Sequence, residues 1–108
     1  MNNNQPTVRL ENWSLLQGLY VANNRLRGNV YGHPDKEDGK QIDTSTIRSV
    51  RGRAVTTASE TVYILEEPDI EWVAWLEKNK IKYNHTNPLG YQYNVSFWRK
   101  LLNALHIK

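Results

Sequence analysis

A chain of 108 residues with 39% apolar residues and a net charge of +3 has the size of one domain and enough apolar groups for a core without staples. The absence of cysteine excludes disulfides and thiolate metal sites, and points to a reducing, cytoplasmic setting. No apolar run approaches the ~20 residues that cross a bilayer, and no leader pattern of charge, apolar stretch and small residues opens the chain.

Charge is unevenly spread. Residues 1–58 sum to +3, residues 59–77 to −6 and residues 78–108 to +6. Part of this suits a helix dipole, with acids at a helix start and Lys78, Lys80 and Lys82 near its end. The arginines of the first half and the C-terminal excess favour an anionic partner.

In chain order, the Asn-rich residues 1–6 are expected to fray. Thr7 to Leu16 alternates as a strand with one phase slip, between Leu10 and Trp13, which a bulge near Asn12 explains. Arg25 to Gly32 sets Leu26, Gly28 and Val30 against Arg27, Asn29 and Tyr31. His33 to Gly39 is a turn segment. Gln41 to Val50 reads as one β-branched, hydroxyl-rich strand. Arg51-Gly52 turns tightly into Arg53 to Thr57, and 58–60 turns again into Thr61 to Leu65. The sheet over 7–65 is expected to have five or six strands, mainly antiparallel.

Glu66-Glu67-Pro68-Asp69 is a helix entrance with proline and carboxylates in the first turn. It predicts a helix over 69–80 with Ile70, Trp72, Val73, Trp75 and Leu76 as its apolar groups. A loop with Asn84, Asn87, Pro88 and Gly90 follows. Asn94 is a good N-cap for a second helix over 94–106, with Val95, Trp98, Leu101, Leu102 and Leu105 on one stripe. The fold class is therefore α+β: one domain over 1–108, a sheet followed by two C-terminal helices.

Motifs of catalysis do not appear. His33, His85 and His106 share no metal-ligand spacing, and neither Ser45 nor Ser59 sits in a nucleophile elbow. Glu66/Glu67 and Glu37/Asp38 read as solvated turn and helix-start residues rather than an acid/base couple. No phosphate loop of the P-loop or dinucleotide type is present. The expectation is a binding protein, not an enzyme, with no cofactor and no metal.

What remains is a set of donors on stiff strands. Arg25, Arg27, Arg48, Arg51 and Arg53 carry planar donors suited to phosphate. Thr44, Ser45, Thr46, Thr56 and Thr57 supply short hydroxyls, and His33 is a further donor unless it merely organises its turn. Rings cluster late, at Tyr83, Tyr91, Tyr93, Phe97 and Trp98. Arginine, hydroxyl and aromatic groups together suit a nucleotide, and a recess between two subunits, with the C-terminal helix as seam, would bury it.

The run Leu26-Arg27-Gly28-Asn29-Val30-Tyr31-Gly32-His33-Pro34, then Asp38-Gly39, Ile42, Thr44-Ser45 and Ile47, resembles small proteins of phages and prophages. Leu10-Glu11-Asn12-Trp13-Ser14, Val62-Tyr63 and the Glu67-Pro68-Asp69 entrance fit the same pattern, which spans roughly residues 10–76. The chain is similar to the first-described family of phage anti-Thoeris proteins. That resemblance implies a non-enzymatic sponge in the host cytoplasm that sequesters cyclic ADP-ribose-type immune signals, with cyclic oligonucleotides held at a second site in some members. It implies dimers or higher assemblies of a sheet followed by two helices. It also implies a ring, an amide and an arginine from the helical part, for which Trp72, Asn84 or Asn94, and Arg99 are the matching residue types. Two alternatives stand beside it: a small basic nucleic-acid-binding protein, and an inhibitor of a host factor that binds through its C-terminal helix.

Overall fold

The computed structural model describes residues 7–93. Residues 1–6 and the second helix expected over 94–106 lie outside the described residues. What is described is mostly sheet with a small helical part: six strands, the helix α1 (Ile70–Lys78) and the one-turn α2 (Gly90–Tyr93).

The strands are β1 (Thr7–Leu16), β2 (Arg25–Tyr31), β3 (Gln41–Asp43), β4 (Ile47–Arg51), β5 (Ala54–Thr57) and β6 (Val62–Leu65). They form one sheet in the order β3-β2-β1-β6-β5-β4. Neighbours are antiparallel except β1 and β6, which run parallel from Thr7↔Val62 to Leu10↔Leu65. The pairing continues past β6: Glu66 N donates to Leu10 O, and Asn12 N to Glu67 O.

Sequence alternation becomes burial alternation. Val8 and Leu10 of β1, Leu26 and Val30 of β2, Val55 of β5, and Tyr63 and Leu65 of β6 all face the core. The phase slip in β1 is a bulge. Register changes between Glu11↔Asn29 and Ser14↔Arg27, with Asn12 at φ 51°. The extra residue turns Trp13 inward, fully buried, where an unbroken strand would have turned it out. Opposite the bulge sits Gly28, where a Cβ would lie 2.8 Å from Leu10 Cγ and 3.0 Å from Glu11 O. Only glycine lets β1 press this close.

The expected single strand over Gln41–Val50 is two. Residues 44–46 break it, and β3 and β4 stand at opposite edges of the sheet. Laid flat, six strands would hold their edges about 24 Å apart. The chain from Asp43 to Ile47 reaches about 14 Å at most. The sheet must therefore curl until its edges meet. Backbone bonds record the meeting: Thr44 N donates to Leu26 O and Ile47 N to Asn24 O, while Ala58 N donates to Thr46 O. One bent segment thus pairs with β2 by its first half and with β5 by its second.

The helix begins where the sequence predicts. Asp69 caps it by accepting from Trp72 N at 3.2 Å. It ends two residues earlier than expected, with Ile81 N donating to Leu76 O and Lys80 N to Glu77 O. That is a Schellman closure with lysine, φ 63°, in the left-handed position. Trp72 and Leu76 bury against the sheet, and the Trp72 ring lies 4.8 Å from that of Trp13.

Candidate functional site

The closure of the sheet decides which side chains meet. Where β2 and β4 come together, the bond from Ile47 N to Asn24 O at 2.8 Å sets two backbones about 5 Å apart. Arg25 follows one of these residues and Arg48 the other. Both are exposed and form no ion pair among the described residues. Arg27 stands next along β2, its fork closed on Asp43 through Nε–Oδ1 at 2.8 Å and Nη2–Oδ2 at 3.1 Å. That hydrogen-bonded pair raises the Arg27 pKa and lowers that of Asp43, and the nearby charge of Arg25 lowers the latter further.

Hydroxyls line the same seam. Thr44 is buried, and its Oγ1 accepts from Leu26 N and donates to Ser45 O at 3.0 and 2.7 Å. It braces the bend rather than facing outward. Ser45 Oγ accepts from Ser59 N at 3.1 Å at the exposed end of the bend. The fold therefore brings Arg25, Arg27, Ser45 and Arg48 to one seam from three separate segments, with Thr44 buried beneath it.

The others do not join them. His33 Nδ1 accepts from Asp35 N at 2.9 Å, which is the turn-organising role. Trp72 is 8% exposed and belongs to the core with Trp13. Asn84 Oδ1 accepts from Thr86 N, Thr86 Oγ1 and Asn87 N, closing its own loop. Asn94 and Arg99 lie outside the described residues. Arg53, read from sequence as a phosphate donor, is half-buried and turned onto the protein's own acceptors instead. Its guanidinium donates to Leu65 O at 2.7 Å, to Tyr83 Oη at 3.2 Å, and to the carbonyls of Glu66 and His85. It clamps the β4–β5 turn to the end of β6 and to the loop after α1.

The seam also carries residues that sequence reasoning passed over. Between β1 and β2, Leu19, Tyr20 and Val21 stand exposed at 85%, 68% and 39%. Leu19 and Tyr20 lead into a 3-10 turn at Val21–Asn23, which packs beside β4. The available signal was four consecutive apolar residues, Leu19 to Ala22, between Gly18 and Asn23-Asn24, in neither strand nor helix period.

Two concavities among the described residues lie away from the seam. A groove of about 510 Å³ runs between α1 and the following loop, lined by apolar Ile70, Val73 and Ala74 and by charged Glu67, Glu77 and Lys82. A second one, of about 590 Å³, lies in the loop 35–40. No arginine lines either of these two. Among the described residues, no group of three or more His, Asp or Glu side chains is gathered for a metal ion, and no helix is long and apolar enough to cross a membrane. Compared with known proteins, the chain matches no family model, no curated protein and no solved structure.

Proposed function

We propose that this chain is a non-enzymatic binding protein that captures a small cyclic nucleotide, of the cyclic ADP-ribose type, at the seam between β2 and β4. The observation that carries the reading is the pair of exposed arginines, Arg25 and Arg48, on hydrogen-bonded backbones, with Arg27 behind them. Planar forks carried on neighbouring backbones suit a pyrophosphate, which offers acceptors on two adjacent phosphorus centres. The sequence resemblance to anti-Thoeris proteins supplies the nucleotide class and the role, an immune-signal sponge in the cytoplasm of an infected cell. Arg25 and Arg48 are both exposed, and a ligand held on them is best buried by a second wall. A second copy of the chain, with the expected helix over 94–106 at the contact, is the proposed source of it.

The test is to purify the protein from cells that make such a signal, unfold it by heat and assay the supernatant. Recovery of the intact cyclic nucleotide is expected, and native mass spectrometry of the same sample should show the ligand on a dimer or larger assembly. Recovery of hydrolysed nucleotide alone would overturn the sponge reading in favour of an enzyme. A second reading, single-stranded nucleic acid, is favoured by the same arginines beside the exposed Tyr20 ring. It predicts binding that weakens steeply with salt. The six acids of residues 59–77 oppose a long nucleic-acid track.

A further inference from the structure

The tip at residues 18–23 is held more firmly than its own packing requires. Asn24, 1% exposed, braces it from below. Its Oδ1 accepts from Gly18 N at 2.9 Å, its Nδ2 donates to Gln92 Oε1 at 3.2 Å, its amide donates to Val21 O at 3.0 Å and its carbonyl accepts from Ile47 N at 2.8 Å. Asn23 N adds a bond to Tyr20 O at 2.8 Å. Gly18 is part of the device: a Cβ there would stand 2.4 Å from Asn23 Cβ, so no other residue permits so tight a loop. Yet no residue of the 3-10 turn is buried. Ordering this backbone costs entropy, and its apolar side chains return nothing to the core. A rigid segment that presents a bare ring to solvent is built for something that arrives from outside.

We infer that Tyr20 is the stacking platform for the base of the nucleotide whose phosphates are held by Arg25 and Arg48. The inference rests on the proposed function and adds to it the part of the site that reads the base. The placement follows from the backbone. Tyr20 and Asn23 are the ends of one turn, within about 7 Å of each other. Asn23 precedes the residue bonded to Ile47, next to Arg48. The backbones that carry the ring and the two guanidinium groups therefore lie side by side, and the proposal places the ligand across them. Leu19 and Val21 extend the apolar surface on either side of the ring. Stacking requires a π-face and no hydrogen-bond code, so this subsite favours a planar base without choosing sharply between purines.

The experiment is a calorimetric titration of the full chain with cyclic ADP-ribose as probe. It compares the unmodified protein with Tyr20→Ala, Tyr20→Trp and the double variant Arg25→Ala/Arg48→Ala. Tyr20 is mostly exposed, so its replacement leaves the core intact. Tyr20→Ala is expected to weaken binding about tenfold or more. Tyr20→Trp is expected to bind within a few-fold of the parent, with the emission of the new indole quenched by the base. If Tyr20→Ala binds within about twofold of the parent while the arginine variant fails, the stacking role is wrong and the arginine seam stands. An unquenched Trp at position 20 in a protein that still binds would also overturn it. No binding by the parent chain would remove the proposed function and this inference together.

Discussion

Arg53→Ala separates a structural arginine from a ligand-binding one. Three of the four groups that the Arg53 guanidinium serves, Leu65 O, Glu66 O and Tyr83 Oη, are partly buried, and the fourth, His85 O, is exposed. A bond from a charged donor is worth about 1.5–3 kcal/mol net, and less where water can replace it. Taking about 1 kcal/mol for each partly buried bond, and nothing for the exposed one, gives a loss of about 3 kcal/mol. In a domain of this size that lowers the melting temperature by on the order of 12 °C. Arg53→Lys should recover about one bond, because a single ammonium cannot reproduce the fork. Urea unfolding read by tryptophan emission gives both the midpoint and the slope, and the slope should stay constant. A loss under about 1 kcal/mol, accompanied by lost ligand binding, would show that Arg53 faces the ligand and that the clamp is wrong.

Other substitutions test the fold at single points. Lys80→Gly relieves a side chain in the left-handed position that closes α1 and should stabilise by about 1 kcal/mol in thermal denaturation. Gly28→Ala places a Cβ against Leu10 and the Glu11 carbonyl and should cost about 1–3 kcal/mol by the same measurement. Arg27 holds the Asp43 carboxyl below its ordinary value. Its contribution is therefore present above the unfolded value of about 3.9 and lost as pH falls through the lower folded one. Asp43→Asn should lack that acid limb when stability is followed by circular dichroism against pH. Burial raises the Tyr63 phenol, with a hydrogen bond to Thr61 opposing. Stability is thus full below pH about 10 and falls as pH rises through the folded value. Tyr63→Phe should remove this alkaline loss in the same titration.

Local features were legible in the sequence and non-local ones were not. The phase slip at Asn12 announced the bulge, because a side-chain period of two leaves no other way to bury both Leu10 and Trp13. Pro68 and Asp69 announced the helix start. The break at 44–46 was hidden, because β-branched and hydroxyl residues suit a strand and a bend alike. What bends the chain is the closing of the sheet, a constraint from residues far away in sequence. The parallel pairing of β1 with β6 was hidden for the same reason. Among the site residues, type was readable and address was not. Arg48 and Arg53 look alike in sequence, yet one is bare and the other is enclosed by carbonyls. Trp72 has the right chemistry to stack on a ligand and spends it on Trp13. Tyr20 was overlooked because it sits between the periodic segments from which core and surface are inferred.

The parallel pairing of β1 with β6 has a bearing on how the molecule is made. Thr7 waits for Val62, and Asn12 for Glu67, so β1, made before the other five strands, gains its second neighbour only after all of them have been made. Until then β2 alone can cover it, and Val8 and Leu10 lack the wall that Tyr63 and Leu65 provide. Pairing across so long a stretch of chain is slow compared with closing a hairpin. The arginine seam does not share this delay, since β2, the bend and β4 lie within thirty residues of one another. During synthesis the cationic surface can take shape before the core beneath it is closed.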